Sequence, residues 1–102
     1  MIYKEFLDLR LSEIGVGTYL GNPDETTNEN YKDTIKKAIE LGVNVVDTAI
    51  NYRDMESERV IGDILKEIDR DKLLISTKGG YFPKDNRIKI DNITKFIKDE
   101  FI

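Results

Sequence analysis

The feature that most constrains the fold is an alternation of short apolar runs with longer amphipathic segments. Residues 43–47 and 72–77 carry β-branched or aliphatic side chains at both odd and even positions, which is typical of strands buried on both faces. Residues 14–18 form a weaker run of the same kind. Because such runs are characteristic of parallel sheets, we expect three parallel strands.

The first amphipathic segment, residues 29–41, predicts a helix. Its apolar residues recur on one face, while lysines and a glutamate occupy the other. Thr27 or Asn28 is the expected N-cap, and Gly42 suits the left-handed residue that ends many helices. The apolar face consists of Tyr31, Ile35, Ala38 and Ile39.

Two further helices are predicted. Residues 57–68 again place apolar side chains on one face, with Ser57 as the expected N-cap and Glu58 well placed for the helix dipole. A weaker apolar stripe follows Asp91, and this third helix runs to the end of the chain. Each predicted helix therefore follows a predicted strand.

The order of elements predicts an α/β fold. A strand followed by a helix occurs three times with a repeat of about thirty residues, which indicates right-handed βαβ units and a parallel sheet. Ahead of these units, Leu7, Leu9 and Leu11 alternate with polar residues, which predicts a half-buried strand or hairpin. No linker divides the chain, so residues 1–102 are expected to form a single domain.

Composition excludes several classes of partner. The net charge is -4 and the two signs are interspersed, so we expect no nucleic-acid partner. The chain contains no cysteine and no histidine, so we expect neither disulfides nor a metal site. No apolar run approaches the roughly 20 residues of a membrane span. We therefore expect no membrane partner and a cytoplasmic location.

Three polar residues are expected to meet at one edge of the sheet. Asp47 ends the second predicted strand, Lys78 follows the third, and Tyr52 lies in the loop after Asp47. Neighbouring strands are about 4.8 Å apart, so the carboxylate and the ammonium can meet above the sheet. A positive charge beside a phenol favours the phenolate and makes it a better proton donor near neutral pH. The aspartate would keep the lysine charged and oriented.

Each of these residues also has a purely structural interpretation when taken alone. An aspartate at a strand end often caps the following turn. A lysine there is usually solvated, and a tyrosine often packs with its hydroxyl at the surface. Their joint occurrence at the ends of consecutive strands is what favours a functional site over these alternatives.

The residues around this edge resemble a known family. Residues 42–49, which end in Asp-Thr-Ala, are followed by Tyr52 and by Glu-Arg-Val-Ile-Gly at 58–62, an order similar to the first signature of the aldo-keto reductase superfamily. Residues 15–19 are similar to the family's first strand and its Gly-Thr-aromatic loop, and residues 74–78 to the strand that ends in its lysine. The resemblance covers essentially the whole chain.

The resemblance implies a fold, a chemistry and a set of site residues. Family members are closed (β/α)8 barrels that reduce small aldehydes and ketones with NADPH. Carried over by position, Tyr52 is the general acid or base, and Lys78 and Asp47 are its tuning pair. Thr18, Tyr19 and Asp47 are implied to approach the nicotinamide and its ribose. The chain corresponds to about three of the eight βα units of such a TIM barrel.

The sequence departs from the family pattern in two places. The loop at residues 53–57 is longer than the shortest family version, which affects the pocket wall. The family's catalytic histidine, at the end of the fourth strand, and its later cofactor loops have no counterpart here. We therefore expect the amino-terminal segment of a reductase, inactive alone and without the loops on which NADPH binding depends.

Two alternatives remain open from the sequence. A truncated barrel leaves unpaired sheet edges, so the chain is alternatively a non-catalytic protein that self-associates through these edges or binds a partner chain. A third interpretation is a flavodoxin-like module that binds a phosphorylated ligand at residues 17–23.

Overall fold

The computed structural model describes residues 1–80, which form an antiparallel hairpin and a parallel three-stranded sheet with two helices. This confirms the predicted α/β fold class. In residues 1–80 neither helix is long and apolar enough to cross a membrane. The predicted third helix, after Asp91, lies outside the described residues. In chain order the elements are β1 (Tyr3–Phe6), β2 (Leu9–Ser12), β3 (Val16–Gly17), α1 (Glu25–Glu40), β4 (Val45–Asp47), α2 (Glu56–Leu65), a short 3-10 helix (Arg70–Lys72) and β5 (Leu74–Ser76).

The parallel sheet has the strand order β3-β4-β5 and packs one face against the helices. Val16, Val46 and Ile75 are in register on that face, and Val46 is buried in the core. Val16 and Ile75 on this face, and Val45 and Leu74 on the opposite face, are half-buried. Of the residues in β3, β4 and β5, only Val46 is as buried as the prediction of strands buried on both faces requires. The hydrophobic core cluster consists of Ile35, Val46, Val60, Ile61, Ile64 and Leu73, and Val43, Ala49 and Ile50 are also buried.

Helix α1 begins four residues earlier than its apolar periodicity predicts. Its N-cap is Asp24, whose carboxylate accepts a hydrogen bond of 2.8 Å from the backbone N–H of Thr27. The prediction of Thr27 or Asn28 as the cap was therefore wrong, because the first turn contributes little to the core. The predicted stop is confirmed: Gly42 has φ +100, and a Cβ there would lie 2.8 Å from the hydroxyl of Tyr3.

Helix α2 begins without the serine cap that the sequence predicts. Its N-cap is Met55 in the left-handed conformation, and within the described chain no side chain caps this end. Ser57 is instead buried in the first turn, and its hydroxyl donates a 2.6 Å hydrogen bond to the carbonyl oxygen of Thr18. The serine thus connects α2 to the loop after β3.

The hairpin is joined to the start of β4 by polar side chains. Asn44 accepts from the backbone N–H of Ser12 (2.7 Å) and donates to the carbonyl of Arg10 (2.8 Å). In return, the Ser12 hydroxyl accepts from the backbone N–H of Asn44 at 3.0 Å. The predicted leucine face is less buried than expected, since Leu7 occupies the turn with 81% exposure and Leu9 is also exposed.

Candidate functional site

Lys78 contacts the other two predicted residues, Asp47 and Tyr52, at the carboxyl ends of β4 and β5. Its Nζ lies 2.9 Å from Oδ1 of Asp47 and 3.3 Å from the hydroxyl oxygen of Tyr52. Nζ also donates to the carbonyl oxygen of Thr48 at 2.8 Å. The ammonium therefore has acceptors on the strand end, on the backbone after it and on the phenol. The structure brings together the trio that the sequence predicts.

Backbone pairing between two loops sets this geometry. Asp47 is in register with Ser76, and beyond the strands the N–H of Thr48 donates to Ser76 at 2.8 Å. The N–H of Ile50 then donates to the carbonyl of Lys78 at 3.1 Å. Because the pairing continues past the strand ends, Lys78 is held beside the loop that carries Tyr52.

The electrostatics of the trio favour a charged lysine. The hydrogen bond to Asp47 raises the pKa of Lys78 above its ordinary value, and the hydrogen bond to Tyr52 adds to this, while partial burial opposes both. The side chains of Lys78 and Asp47 are 51% and 48% exposed, so solvent screens the ion pair. At neutral pH the lysine is an ammonium whose N–H points at the phenol oxygen. Negative charge developing on that oxygen is thereby stabilised.

The loop after β3 brings Thr18 and Tyr19 to the same edge. Thr18 is buried, and its hydroxyl donates to the carbonyl oxygen of Asp47 at 3.0 Å. The ring of Tyr19 is exposed and meets the ring of Tyr52 edge-on, with centroids 5.2 Å apart and planes at 78°. The two tyrosine rings are therefore adjacent, and Tyr52 lies beside the ammonium of Lys78. The cofactor role of Thr18 and Tyr19 stays a prediction.

One buried residue at this edge was missed by the sequence interpretation. Arg53 follows Tyr52 directly and is only 5% exposed. With Asp54 and Met55 it forms three consecutive residues at positive φ, between 52° and 70°. No pattern in the sequence signals a buried arginine here, because its partners lie 22 to 31 residues away. In the described part of the chain, no group of three or more metal-ligating side chains is assembled.

Comparison with known proteins gives a consistent result. The model of the aldo/keto reductase family matches residues 13–100. The NADH-specific methylglyoxal reductase of Escherichia coli is 35% identical over 78 residues, which are 72% of this chain and 24% of that protein.

Solved structures agree with the family match. The holo form of an aldo-keto reductase from Bacillus halodurans superposes with a TM-score of 0.67 at 28% identity, covering 91% of this chain and 32% of the other. An aldo/keto reductase from Klebsiella pneumoniae in complex with NADP and acetate gives 0.64 at 25% identity, covering 71% and 25%. The chain thus spans between 24% and 32% of the length of these proteins. The predicted fold, part of a (β/α)8 barrel, is confirmed.

Proposed function

Because the chain belongs to the aldo/keto reductase family, we propose that it supplies the proton-transfer side chains of an enzyme that reduces small aldehydes or ketones with a nicotinamide cofactor. The observation that carries this proposal is the position of the Lys78 ammonium, within hydrogen-bond distance of both Asp47 and Tyr52. The full activity belongs to a complete barrel, of which this chain forms the amino-terminal portion.

The proposed reaction adds a hydride and a proton across a carbonyl group. A reduced nicotinamide cofactor, held beside Asp47 and Tyr19, would supply the hydride. Tyr52 gives its hydroxyl proton to the carbonyl oxygen, so the product is an alcohol. Lys78, at 3.3 Å from the phenol oxygen, stabilises the phenolate that remains. Asp47 orients the ammonium and keeps it charged.

NADPH is the cofactor we propose, bound at its nicotinamide end by Tyr19 and Asp47. The predicted role of Thr18 is indirect, because Thr18 is buried and its hydroxyl donates to the carbonyl oxygen of Asp47. Two features of the site fit this cofactor. The carboxylate of Asp47 is half-exposed and can accept from a ribose hydroxyl, and the exposed ring of Tyr19 lies beside Tyr52. The K. pneumoniae neighbour binds NADP, whereas the E. coli relative is NADH-specific, so both cofactors belong in the assay.

The edges of the parallel sheet support the need for further barrel strands. Within residues 1–80, β3 and β5 are each paired on one side only. We propose that the 102-residue chain is inactive alone and that its edges are paired in the active protein. We also propose a cytoplasmic location, since a cysteine-free chain needs no oxidising compartment.

The edges also favour the second candidate, a non-catalytic protein that self-associates or binds a partner chain through them. Sedimentation and thermal unfolding of the purified chain separate the two proposals. A defined oligomer that unfolds cooperatively and reduces no aldehyde would favour the second.

Substitution of Tyr52 tests the proposed enzyme. In the intact protein, Tyr52→Phe is expected to lower kcat/KM for methylglyoxal, with NADPH or NADH, by about 10² to 10⁴-fold, because the proton donor is removed. The matched control is Tyr3→Phe, whose hydroxyl bonds the carbonyl of Gly42 at the opposite end of the sheet. Unchanged turnover in Tyr52→Phe would overturn the assigned role.

A further inference from the structure

Arg53 is a buried cation whose direct contacts are with uncharged groups, although the carboxylate of Asp24 also interacts with it electrostatically. In the described residues its hydrogen-bond acceptors are all neutral oxygens, and its guanidinium stacks over the ring of Tyr31 at 4.8 Å. Its Nη1 is buried and has no partner within residues 1–80. A buried charge of this kind adds little stability over an apolar side chain of similar size. Its contribution is therefore expected to be geometric.

The guanidinium ties the loop of Tyr52 to the loop after β3. Nε and Nη2 both donate to the carbonyl oxygen of Asn22, at 3.1 and 3.0 Å. Nη2 also donates to Oδ1 of Asn28 on α1. These two bonds to one carbonyl form a fork. Asn22 lies three residues after Tyr19, so the fork holds the loop after β3 at a point beyond Tyr19.

A second contact holds the same loop at the residue directly after Tyr19. The hydroxyl of Tyr31, whose ring lies under Arg53, donates to the carbonyl oxygen of Leu20 at 2.5 Å. Leu20 directly follows Tyr19 in the chain. The backbone of the tyrosine's loop is thus held at Leu20 and at Asn22, and both connections lead to one side chain adjacent to Tyr52.

We propose that Arg53 is a positioning residue that sets the spacing of the Tyr19 and Tyr52 rings, and through it the width of the carbonyl pocket. This inference rests on the proposed function of Tyr52. The fork geometry requires arginine, because two nitrogens of one planar group meet one carbonyl while a third contact reaches α1. The exposed Tyr19 has a single ring neighbour in the described structure, which is Tyr52. Its position therefore depends on the backbone of its loop, which Thr18 anchors before Tyr19 through Ser57 and Asp47, and which Arg53 anchors after it.

The test replaces Arg53 by an apolar side chain of similar length. In Arg53→Met of the intact protein, the nuclear Overhauser contact between the Tyr19 and Tyr52 rings, measured with isotope-labelled tyrosine, is expected to disappear while the fold persists. The matched control is Arg10→Met, which removes another arginine stacked on a tyrosine, 4.4 Å from the ring of Tyr3 in the hairpin. The control should leave the contact between Tyr19 and Tyr52 intact.

A kinetic readout separates positioning from a general loss of stability. The ratio of kcat/KM for benzaldehyde to that for methylglyoxal should change by about tenfold in Arg53→Met, since a displaced wall alters the fit of a bulky substrate most. Loss of folded protein alone lowers both values equally and leaves the ratio unchanged.

The outcomes distinguish this inference from the proposed function. A folded Arg53→Met variant that keeps the ring contact would overturn the positioning role. Loss of that contact together with full turnover in Tyr52→Phe would retain the positioning role and defeat only the proposed chemistry. If Arg53→Met does not fold, Arg53→Lys carries the test, because lysine keeps the charge but cannot direct two nitrogens of one planar group at the carbonyl of Asn22. Loss of the ring contact in Arg53→Lys would support the inference, and a retained contact would overturn it.

Discussion

The two ends of the parallel sheet are both joined by polar side chains, but the bonds differ in kind. At the amino end, Asn44 and Ser12 exchange hydrogen bonds with each other's backbone groups. At the carboxyl end, Lys78 connects two other side chains that can gain or lose a proton. The first arrangement involves only neutral groups, whereas the second concentrates charge at a half-exposed position.

The backbone differs between the two ends in degree, since in the hairpin Leu7 is the single non-glycine residue at positive φ. Near the carboxyl end, three consecutive non-glycine residues, 53–55, adopt positive φ, and Thr48 keeps a buried hydroxyl without a partner in residues 1–80. Such conformations and unpaired groups cost free energy that a purely structural loop would avoid. The hairpin end therefore serves stability, whereas the opposite end accepts a larger local cost and brings titratable side chains together.

The largest stability effect is expected at the hairpin end. Asn44→Ala removes two side-chain hydrogen bonds and leaves the N–H of Ser12 and the carbonyl of Arg10 without them. We expect the free energy of unfolding to fall by about 2–3 kcal/mol, measured by urea denaturation of the intact protein. Asn30→Ala, an exposed substitution on α1, is the control and should change it by less than about 0.5 kcal/mol. Equal changes in the two variants would show that the Asn44 hydrogen bonds do not stabilise the hairpin end.

A smaller effect, dependent on pH, is expected at the carboxyl end. The hydrogen bond to Asp47 raises the folded-state pKa of Lys78 above 10.5. Its stabilising contribution is therefore complete below the unfolded pKa and is lost as the pH rises through the raised folded value. The stability difference between the wild type and Lys78→Met should shrink as the pH rises above about 10.5, in urea titrations.

The hairpin end supplies the control for this pH dependence. The bonds of Asn44 are made by an amide and a hydroxyl, so the stability difference caused by Asn44→Ala should not change over the same pH range. A difference for Lys78→Met that stays constant through that range would show that the ion pair adds nothing to stability, as exposed pairs often do.

The smallest effect is expected at Thr48. Its hydroxyl is buried and has no hydrogen-bond partner within the described residues, so Thr48→Val should leave the free energy of unfolding within about 1 kcal/mol of the wild type or raise it. The matched control is Thr18→Val, which loses a hydrogen bond to the carbonyl of Asp47 and should cost about 1 kcal/mol. Equal destabilisation by the two variants, in thermal melts, would contradict the assignment of an unpaired group.

Sequence reasoning succeeded where the geometry of a regular element supplies the rule, either at a helix end or at the shared edge of parallel strands. The meeting of Asp47 with Lys78 follows from two strands that end at one edge, and Gly42 from the geometry of a helix end. The predicted start of α1 was wrong because apolar periodicity indicates only the part of a helix that faces the core. Asp24, which follows a proline and precedes a glutamate, was the available signal for the true start.

The features that could not be predicted depend on contacts distant in sequence. Ser57 was expected to cap its own helix, but the left-handed residues before it turn the chain so that its hydroxyl reaches Thr18, 39 residues away. The burial of Arg53 likewise requires the loop at residues 20–24 to lie over it. Neither arrangement produces a periodic pattern in the sequence from which it could be predicted.

The alternation of side chains along β4 also has a consequence for how this protein can vary. Val46 belongs to the core and Asp47 to the site, although they are neighbours in the chain, because successive residues of a strand point to opposite faces. A one-residue insertion or deletion before Asp47 would turn the carboxylate towards the helices and away from Lys78. A single substitution at Val46 or Asp47 affects the core contact or the ion pair, whereas a change in the length of the strand would remove both together.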